Sequence, residues 1–129
     1  MILIDTSAWV EFLRDTRTPV CVEVDRLLGL DIATTDAVLM EVLAGARDER
    51  HLRNLRALLG VARMVHSQPQ DFDLAAQLYR RCRRQGETVR RLVDCLIAAV
   101  AIRHRTPVLH SDNDYNVLAR HTALAIHII

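Results

Sequence analysis

Four carboxylates in this 129-residue chain stand where an apolar segment would have to tolerate a charge. Asp5 closes the first apolar run, residues 1–4, and Asp112 follows the apolar pair Val108-Leu109. If both runs are parallel strands, both acids lie beyond strand carboxyl ends, where open α/β sheets bind ligands. The plain alternative for each is a turn or a helix cap, where Asp is common. Glu41 and Asp94 are more demanding. In a helix over 37–46, the same-face neighbours of Glu41 are Ala37, Val38, Ala44 and Gly45. Asp94 opens an apolar segment and is followed by Cys95, Leu96, Ile97 and Ala98. A carboxylate in such surroundings has to be paired, protonated or bound to a cation. A helix dipole stabilises an anion in the first turn by about 0.3–1 kcal/mol. An unpaired buried charge costs several times that. An Arg partner is the structural alternative for both residues.

The elements that would carry these acids alternate. Residues 1–4 read as a strand buried on both faces. Ser7 is placed to cap a helix over 8–14. Pro19 suits the first turn of a helix ending near Gly29, and 30–34 reads as a short strand. Thr35 or Asp36 caps the helix carrying Glu41. The span 48–59 places Leu52, Leu55, Leu58 and Leu59 on one face, with Gly60 at its end. A strand over 62–66 follows. Pro69 opens a longer helix through 84, ending at Gly86. Residues 92–104 are apolar nearly all round, as in a buried helix. A strand over 107–110, a helix over 115–121 and a last strand over 125–129 complete the chain. Such alternation predicts one α/β domain, residues 1–129, with a parallel sheet covered by helices.

Composition narrows the chemistry. Half of the residues are hydrophobic and 26% are charged, as in an ordinary globular protein. All 17 basic residues are Arg. The absence of Lys excludes a Walker A loop, a Schiff base and the lysine of a receiver domain. Aromatics are only 4%, which argues against a sheet that stacks bases on aromatic platforms. Four dispersed glycines make no dinucleotide fingerprint. Cys21, Cys82 and Cys95 are odd in number and scattered, so they read as free thiols. The six His make no zinc spacing with them, and His110 reads as a structural neighbour of the pocket. No apolar run is long enough to span a bilayer, and the opening MILIDTSAW has no basic leader. The expected location is the cytoplasm.

Three further patterns have double readings. Arg80, Arg81, Arg83, Arg84, Arg90 and Arg91 crowd the stretch before Asp94, with Glu87 the one acid between Asp73 and Asp94. A solvated helix face is the plain reading. The scarcity of acidic partners points instead to RNA phosphate contact, with Arg83, Arg84, Arg90 and Arg91 as candidates. Arg47, Arg50, Arg53 and Arg56, at every third residue, read as the outer face of the leucine-bearing helix or as a border of the active site or of a partner. Trp9, Phe12 and Leu13 share one helix stripe, which is either core or a groove for a partner peptide.

Four segments in order, Ile4-Asp5-Thr6-Ser7-Ala8-Trp9, Met40-Glu41-Val42-Leu43-Ala44-Gly45-Ala46-Arg47, Asp94-Cys95-Leu96-Ile97-Ala98-Ala99-Val100-Ala101 and Leu109-His110-Ser111-Asp112-Asn113-Asp114-Tyr115, resemble the PIN-domain family. The resemblance covers essentially the whole chain, and its style is closest to the VapC toxins of bacterial VapBC toxin–antitoxin pairs. Two positions depart from the usual pattern: Cys95 stands where Ala is usual, and Tyr115 where Phe is usual. The resemblance implies a three-layer α/β/α fold with a central, mostly parallel twisted sheet. It implies that Asp5, Glu41, Asp94 and Asp112 are the catalytic acids of a metal-dependent endoribonuclease, with Asp5, Asp94, Asp112 and Asp114 as metal ligands. Asp114 is otherwise read as the cap of the helix beginning at Tyr115. Thr6 and Ser7 would orient a ligand or the scissile phosphate.

Four carboxylates in one pocket would repel, and a divalent cation relieves that repulsion. All-oxygen ligation suits Mg²⁺ or Mn²⁺. The implied substrate is tRNA, rRNA or another structured RNA. The implied partner is a cognate VapB-like antitoxin near Trp9, Phe12 and Leu13, with the chain a homodimer or part of a hetero-oligomer with that antitoxin. Two other functions compete. A haloacid-dehalogenase-type phosphatase needs Asp-x-Asp and a Lys, whereas Asp5 is followed by Thr6-Ser7 and Lys is absent. A non-catalytic metal- or RNA-binding module would use the same acids without turnover.

Overall fold

A computed structural model describes residues 1–129. The chain runs β1 (Ile2–Ile4), α1 (Thr6–Leu13), α2 (Pro19–Leu27), β2 (Ile32–Thr35), α3 (Asp36–Ala44), α4 (Glu49–Leu59), β3 (Arg63–Val65), α5 (Pro69–Arg84), α6 (Leu92–Arg103), β4 (Val108–Leu109) and α7 (Asn113–His121). The four strands form one all-parallel sheet in the order β3-β2-β1-β4. Parallel strands need crossovers, and here helices supply every one of them. The helices pack in two groups, α1 to α4 and α5 to α7, with α3 also touching α6. Both strand faces are therefore covered, which is why β2 is buried at all four of its positions.

Strand order decides where a ligand can sit. β1 pairs with β2 on one side and β4 on the other, because the chain steps outward from β1 through β2 to β3 and then crosses back to the far side of β1. That is a topological switch point, and a crevice opens there beyond the strand carboxyl ends. Asp5 follows β1, and Asp112 lies three residues past β4. The core beneath is built from Leu3, Ile4, Trp9, Val38, Ile97, Val100, Leu109 and Leu118, none more than 1% exposed. Helix α6 is buried over most of its surface, from Asp94 to Ala101. Gly86, at φ +87°, turns the chain out of α5 and into the 87–91 segment that leads to α6.

The predicted alternation of strands and helices is found, with corrections at particular residues. Ser7 does not cap the first helix. That helix starts at Thr6, and the Asp5 carboxylate caps it by accepting the Ser7 N–H. The cap of α7 is Asp112, which accepts the Asp114 N–H, so the capping reading of Asp114 is also wrong. In both cases the acid lies one residue before the helix, where Asp satisfies amides that the helix leaves free. The last predicted strand is reduced to a single bridge between Val108 and Ile126. Trp9 is fully buried and edge-on to Phe12 at 6.4 Å between centroids, so it is core and not a peptide groove. All three cysteines are buried and free. No helix is long and apolar enough to cross a membrane.

One buried ion pair ties the two helices that carry much of the core. Asp71, on α5 and 1% exposed, accepts the Arg103 Nε–H at 2.7 Å and the Nη2–H at 2.8 Å. The Arg103 hydrogen bonds hold the Asp71 carboxyl below its usual range, against the effect of burial. Truncating Arg103 to Ala strands that carboxylate, and we expect a loss of about 3 kcal/mol at pH 7 in urea unfolding. The depressed pKa means that the pair stabilises the fold above the unfolded value. The difference between the variant and the wild type should therefore shrink as pH falls below about 4.

Candidate active site

The acids expected from the sequence meet in the β1/β4 crevice, but not on equal terms. Asp94, Asp112 and Asp114 each offer an oxygen, and the three oxygens lie within 4.8 Å of one another. Asp94 and Asp114 are 2% exposed. Asp5 is buried beside them and linked through Tyr115, whose hydroxyl lies 2.5 Å from Asp5 Oδ1 and 3.5 Å from Asp94 Oδ1. Glu41 stands apart, at the mouth. It accepts the Thr6 hydroxyl at 2.7 Å and is ion-paired with Arg91. The Arg-partner alternative therefore describes Glu41, and it does not describe Asp94.

Each side chain is held by a local device. Asp94 projects from the first turn of α6, whose N-cap residue, Arg91, supplies no side-chain cap. Asp114 in α7 accepts the backbone N–H groups of Arg90 at 3.0 Å and Arg91 at 3.2 Å. It thereby fixes the segment entering α6. Asp5 Oδ2 accepts both the N–H and the hydroxyl of Ser7, at 2.9 and 2.6 Å. Ser7 Oγ in turn accepts the Ser111 N–H at 2.8 Å, which joins the end of β1 to the loop after β4. His110 stacks on Tyr115 at 5.2 Å and accepts the Asp112 N–H, the structural part expected of it.

The electrostatics follow from crowding without water. Burial, then the Asp114 carboxylate, then the charges of Asp5 and Asp112 push the Asp94 carboxyl up to about 8. Burial also raises Asp5, although its bonds from Ser7 and Tyr115 oppose the rise. Asp114 goes the other way. Burial would raise it, but the neighbouring Asp94 carboxyl and the two backbone amides hold it below its usual value. The Tyr115 hydroxyl is pushed well above the ordinary range by burial and by Asp5 and Asp94, so it stays a donor.

Asp94 Oδ2 is buried with no hydrogen-bond partner. An orphaned carboxylate oxygen aimed into a set of carboxylates, with no thiol or imidazole among them, fits a hard divalent cation of the Mg²⁺ or Mn²⁺ kind.

Tyr115 is the functional residue that sequence reasoning passed over. It was noted only as a departure at a position where Phe is usual. The extra oxygen is what connects Asp5 to Asp94. The four arginine candidates divide. Arg83 and Arg84 are exposed on α5, where with Arg80 they line a shallow depression containing no acid. Arg90 and Arg91 instead reach the acids. Arg90 Nη2 lies 3.2 Å from Asp112 and its Nε 3.6 Å from Asp114. Phe12 is half-buried, and Leu13 is 43% exposed and borders a depression with Val10, Glu41, Val42 and Leu55.

Residues 2–121 match the family model described as PIN domain. Ribonuclease VapC11 of Mycobacterium tuberculosis (strain ATCC 25618 / H37Rv) is 48% identical over 128 residues, 96% of each chain. Among solved structures, VapBC2 from Rickettsia felis, bound to a DNA fragment from its promoter, superposes with a TM-score of 0.76. It is 19% identical and the match covers 98% of both chains. VapBC-5 from Mycobacterium tuberculosis, described as a member of the VapBC family of toxin–antitoxin systems, gives a TM-score of 0.68. It is 22% identical over 99% of this chain and 98% of that one.

The raised Asp94 carboxyl has a measurable sign. Between the usual unfolded value and about 8, the folded protein keeps a proton that the unfolded chain has released. Without divalent cations, stability should therefore fall as pH rises from about 5 to 8. Asp94→Asn should flatten that slope and be more stable than the wild type at pH 8, by on the order of 1–3 kcal/mol. Thermal unfolding in EDTA across that range measures both effects. A wild-type profile flat with pH would show that Asp94 is not held neutral.

Proposed function

The chain belongs to the PIN-domain family, and from that premise we propose that it is a divalent-cation-dependent endoribonuclease serving as the toxin of a toxin–antitoxin pair. The observation that carries the reading is the Asp94, Asp112 and Asp114 cluster with its orphaned Asp94 oxygen. Similarity over nearly the whole length to relatives named VapC ribonucleases supports the substrate class. Asp94, Asp112 and Asp114 would hold Mg²⁺ or Mn²⁺, with Asp5 close behind. When bound, such a cation acidifies a water and neutralises charge developing on a phosphodiester.

The chain's own groups do the rest. Hydrolysis adds a water oxygen to phosphorus and breaks one P–O bond to ribose, and the departing ribose oxygen takes up a proton from solvent. Glu41 lies outside the cluster and at the mouth, so it takes the proton that the water gives up. Tyr115 and Ser7 fix Asp5, and Thr6 fixes Glu41, so the carboxylates need not reorganise when the substrate arrives. Ser7 orients Asp5 and the loop after β4, a positioning role of the kind expected for it. The exposed Arg80, Arg83 and Arg84 give structured RNA, tRNA or rRNA among the candidates, a place to set its phosphates.

An antitoxin of VapB type would inhibit by covering the mouth. With Trp9 in the core, the exposed apolar group at the border is Leu13, with Val10 beside it. Glu41 lies on the same depression, within reach of an antitoxin arginine. The toxin would act as a homodimer, or sit in a hetero-oligomer with its antitoxin.

Cleavage of structured RNA should require Mg²⁺ or Mn²⁺ and stop in EDTA. Asp112→Asn should lose at least about 10²-fold in single-turnover rate. It should unfold almost as the wild type does, because Asn caps a helix about as well as Asp. Asp114→Asn should lose both rate and stability, since it also holds two backbone amides. Sequencing new RNA 5′ ends after expression of wild type and Asp112→Asn checks the reading in cells. Identical end profiles would overturn it.

RNA affinity should fall steeply with salt as phosphates release counterions. Replacing Arg83 and Arg84 together by Gln should lower the slope of log affinity against log salt by about 1–2. An unchanged slope in filter-binding titrations would leave those two arginines as a solvated face.

A further inference from the structure

Arg90 and Arg91 are poorly explained as structural ion pairs. Their side chains are 71% and 52% exposed, and exposed pairs hold a fold together weakly. Yet they are aimed. The backbone N–H groups of both residues are fixed by the buried Asp114 carboxylate, at 3.0 and 3.2 Å. From that anchor Arg91 reaches Glu41, and Arg90 reaches Asp112 and Asp114. The backbone is pinned inside, while the charged ends lie over the mouth. Two members of the three-acid cluster, and the acid beside it, are thus engaged by guanidinium groups of the same chain.

We propose that Arg90 and Arg91 are an internal counter-ion pair that competes with the cation for these acids and is handed over to the substrate phosphate when RNA binds. The inference rests on the metal-dependent nuclease reading above and deepens it. A phosphodiester offers a guanidinium the same two-oxygen edge as a carboxylate. A phosphate at the mouth therefore draws the arginines outward and leaves the Asp112, Asp114 and Glu41 carboxylates without their counter-ions, free for a cation. Cation and RNA each assist the other's binding, because coupling between two ligands is reciprocal. Without RNA, the acids keep their own counter-ions and hold the cation weakly. Arg90 and Arg91 are positioning residues in this scheme. They place phosphate and set cation affinity together.

The test reads cation affinity and needs no turnover. Mg²⁺ is titrated calorimetrically into EDTA-stripped protein at fixed ionic strength, alone and with saturating dT10 as the phosphodiester probe. Saturation is checked by anisotropy and oligonucleotide integrity by gel. In the wild type, dT10 should tighten Mg²⁺ binding by about fivefold or more. Arg90→Gln/Arg91→Gln should bind Mg²⁺ more tightly than the wild type without dT10, and should lose most of the further tightening with it. Arg91→Lys, which keeps a cation beside Glu41, should resemble the wild type. Arg53→Gln, which removes an exposed charge on α4, controls for net charge.

Three outcomes overturn the hand-over. They are unchanged Mg²⁺ affinity in the double variant, coupling to dT10 that survives in it undiminished, and an equal effect from Arg53→Gln. Failure of the wild type and of every variant to bind Mg²⁺ at all would instead overturn the metal-dependent reading on which the proposal stands. Folding of the double variant is verified by its thermal transition, and the single variants Arg90→Gln and Arg91→Gln, each expected to show part of the effect, carry the comparison if that transition is lost.

Discussion

Keeping Asp94 in a dry crevice with one oxygen unpartnered is the constraint around which the site is arranged. A carboxylate without water is costly unless something compensates it. Each neighbour supplies part of that compensation. Asp114, beside it, favours the neutral form of Asp94 and is itself steadied by two amides. Tyr115 bridges it to Asp5, and Ser7 secures Asp5 from the other side. The arrangement is consistent with a centre completed by a cation, because every compensating group is directed at an acid and none fills the position at the orphaned oxygen.

The sheet makes this crowding possible at moderate strain. Because β1 is where the strand order reverses, two chain ends open onto one crevice without any helix passing between them. Helix α6 then presents Asp94 from its first turn, and α7 presents Asp114 from its own. The two caps, Asp5 and Asp112, satisfy helix amides while facing the same space. One residue type thus serves both the ends of the helices and the chemistry between them.

Much of this was legible in the sequence because burial forces a pattern. The apolar β1 run and the nearly all-apolar α6 could only be interior elements, and the acids within or after them needed an explanation. Element order and the parallel sheet followed from alternation alone. What was not legible has a common cause. A cap can be assigned only when the first helical residue is known, and helix starts are blurred by one or two residues in any sequence. That displacement moved the cap of α7 from Asp112 to Asp114 and gave Ser7 a cap that belongs to Asp5. Arg90 and Arg91 looked like part of one long basic surface with Arg83 and Arg84. The helix end at Gly86 separates them, and although that end was legible, charge spacing does not show that Asp114 anchors the segment beyond it. Trp9 was ambiguous because stripe position on a helix does not say whether the facing surface is covered.

The bond from Tyr115 to Asp5 spans 110 positions, and that from Ser111 to Ser7 spans 104. Contacts this distant in sequence close late, since the loop entropy between them must be overcome first. During synthesis, β1 emerges at the start and waits for β4 and α7 before its aspartate has companions. A polypeptide that stops short of α7 consequently has neither the Tyr115 bridge nor the Asp114 carboxylate, and a truncated product has nothing to act with.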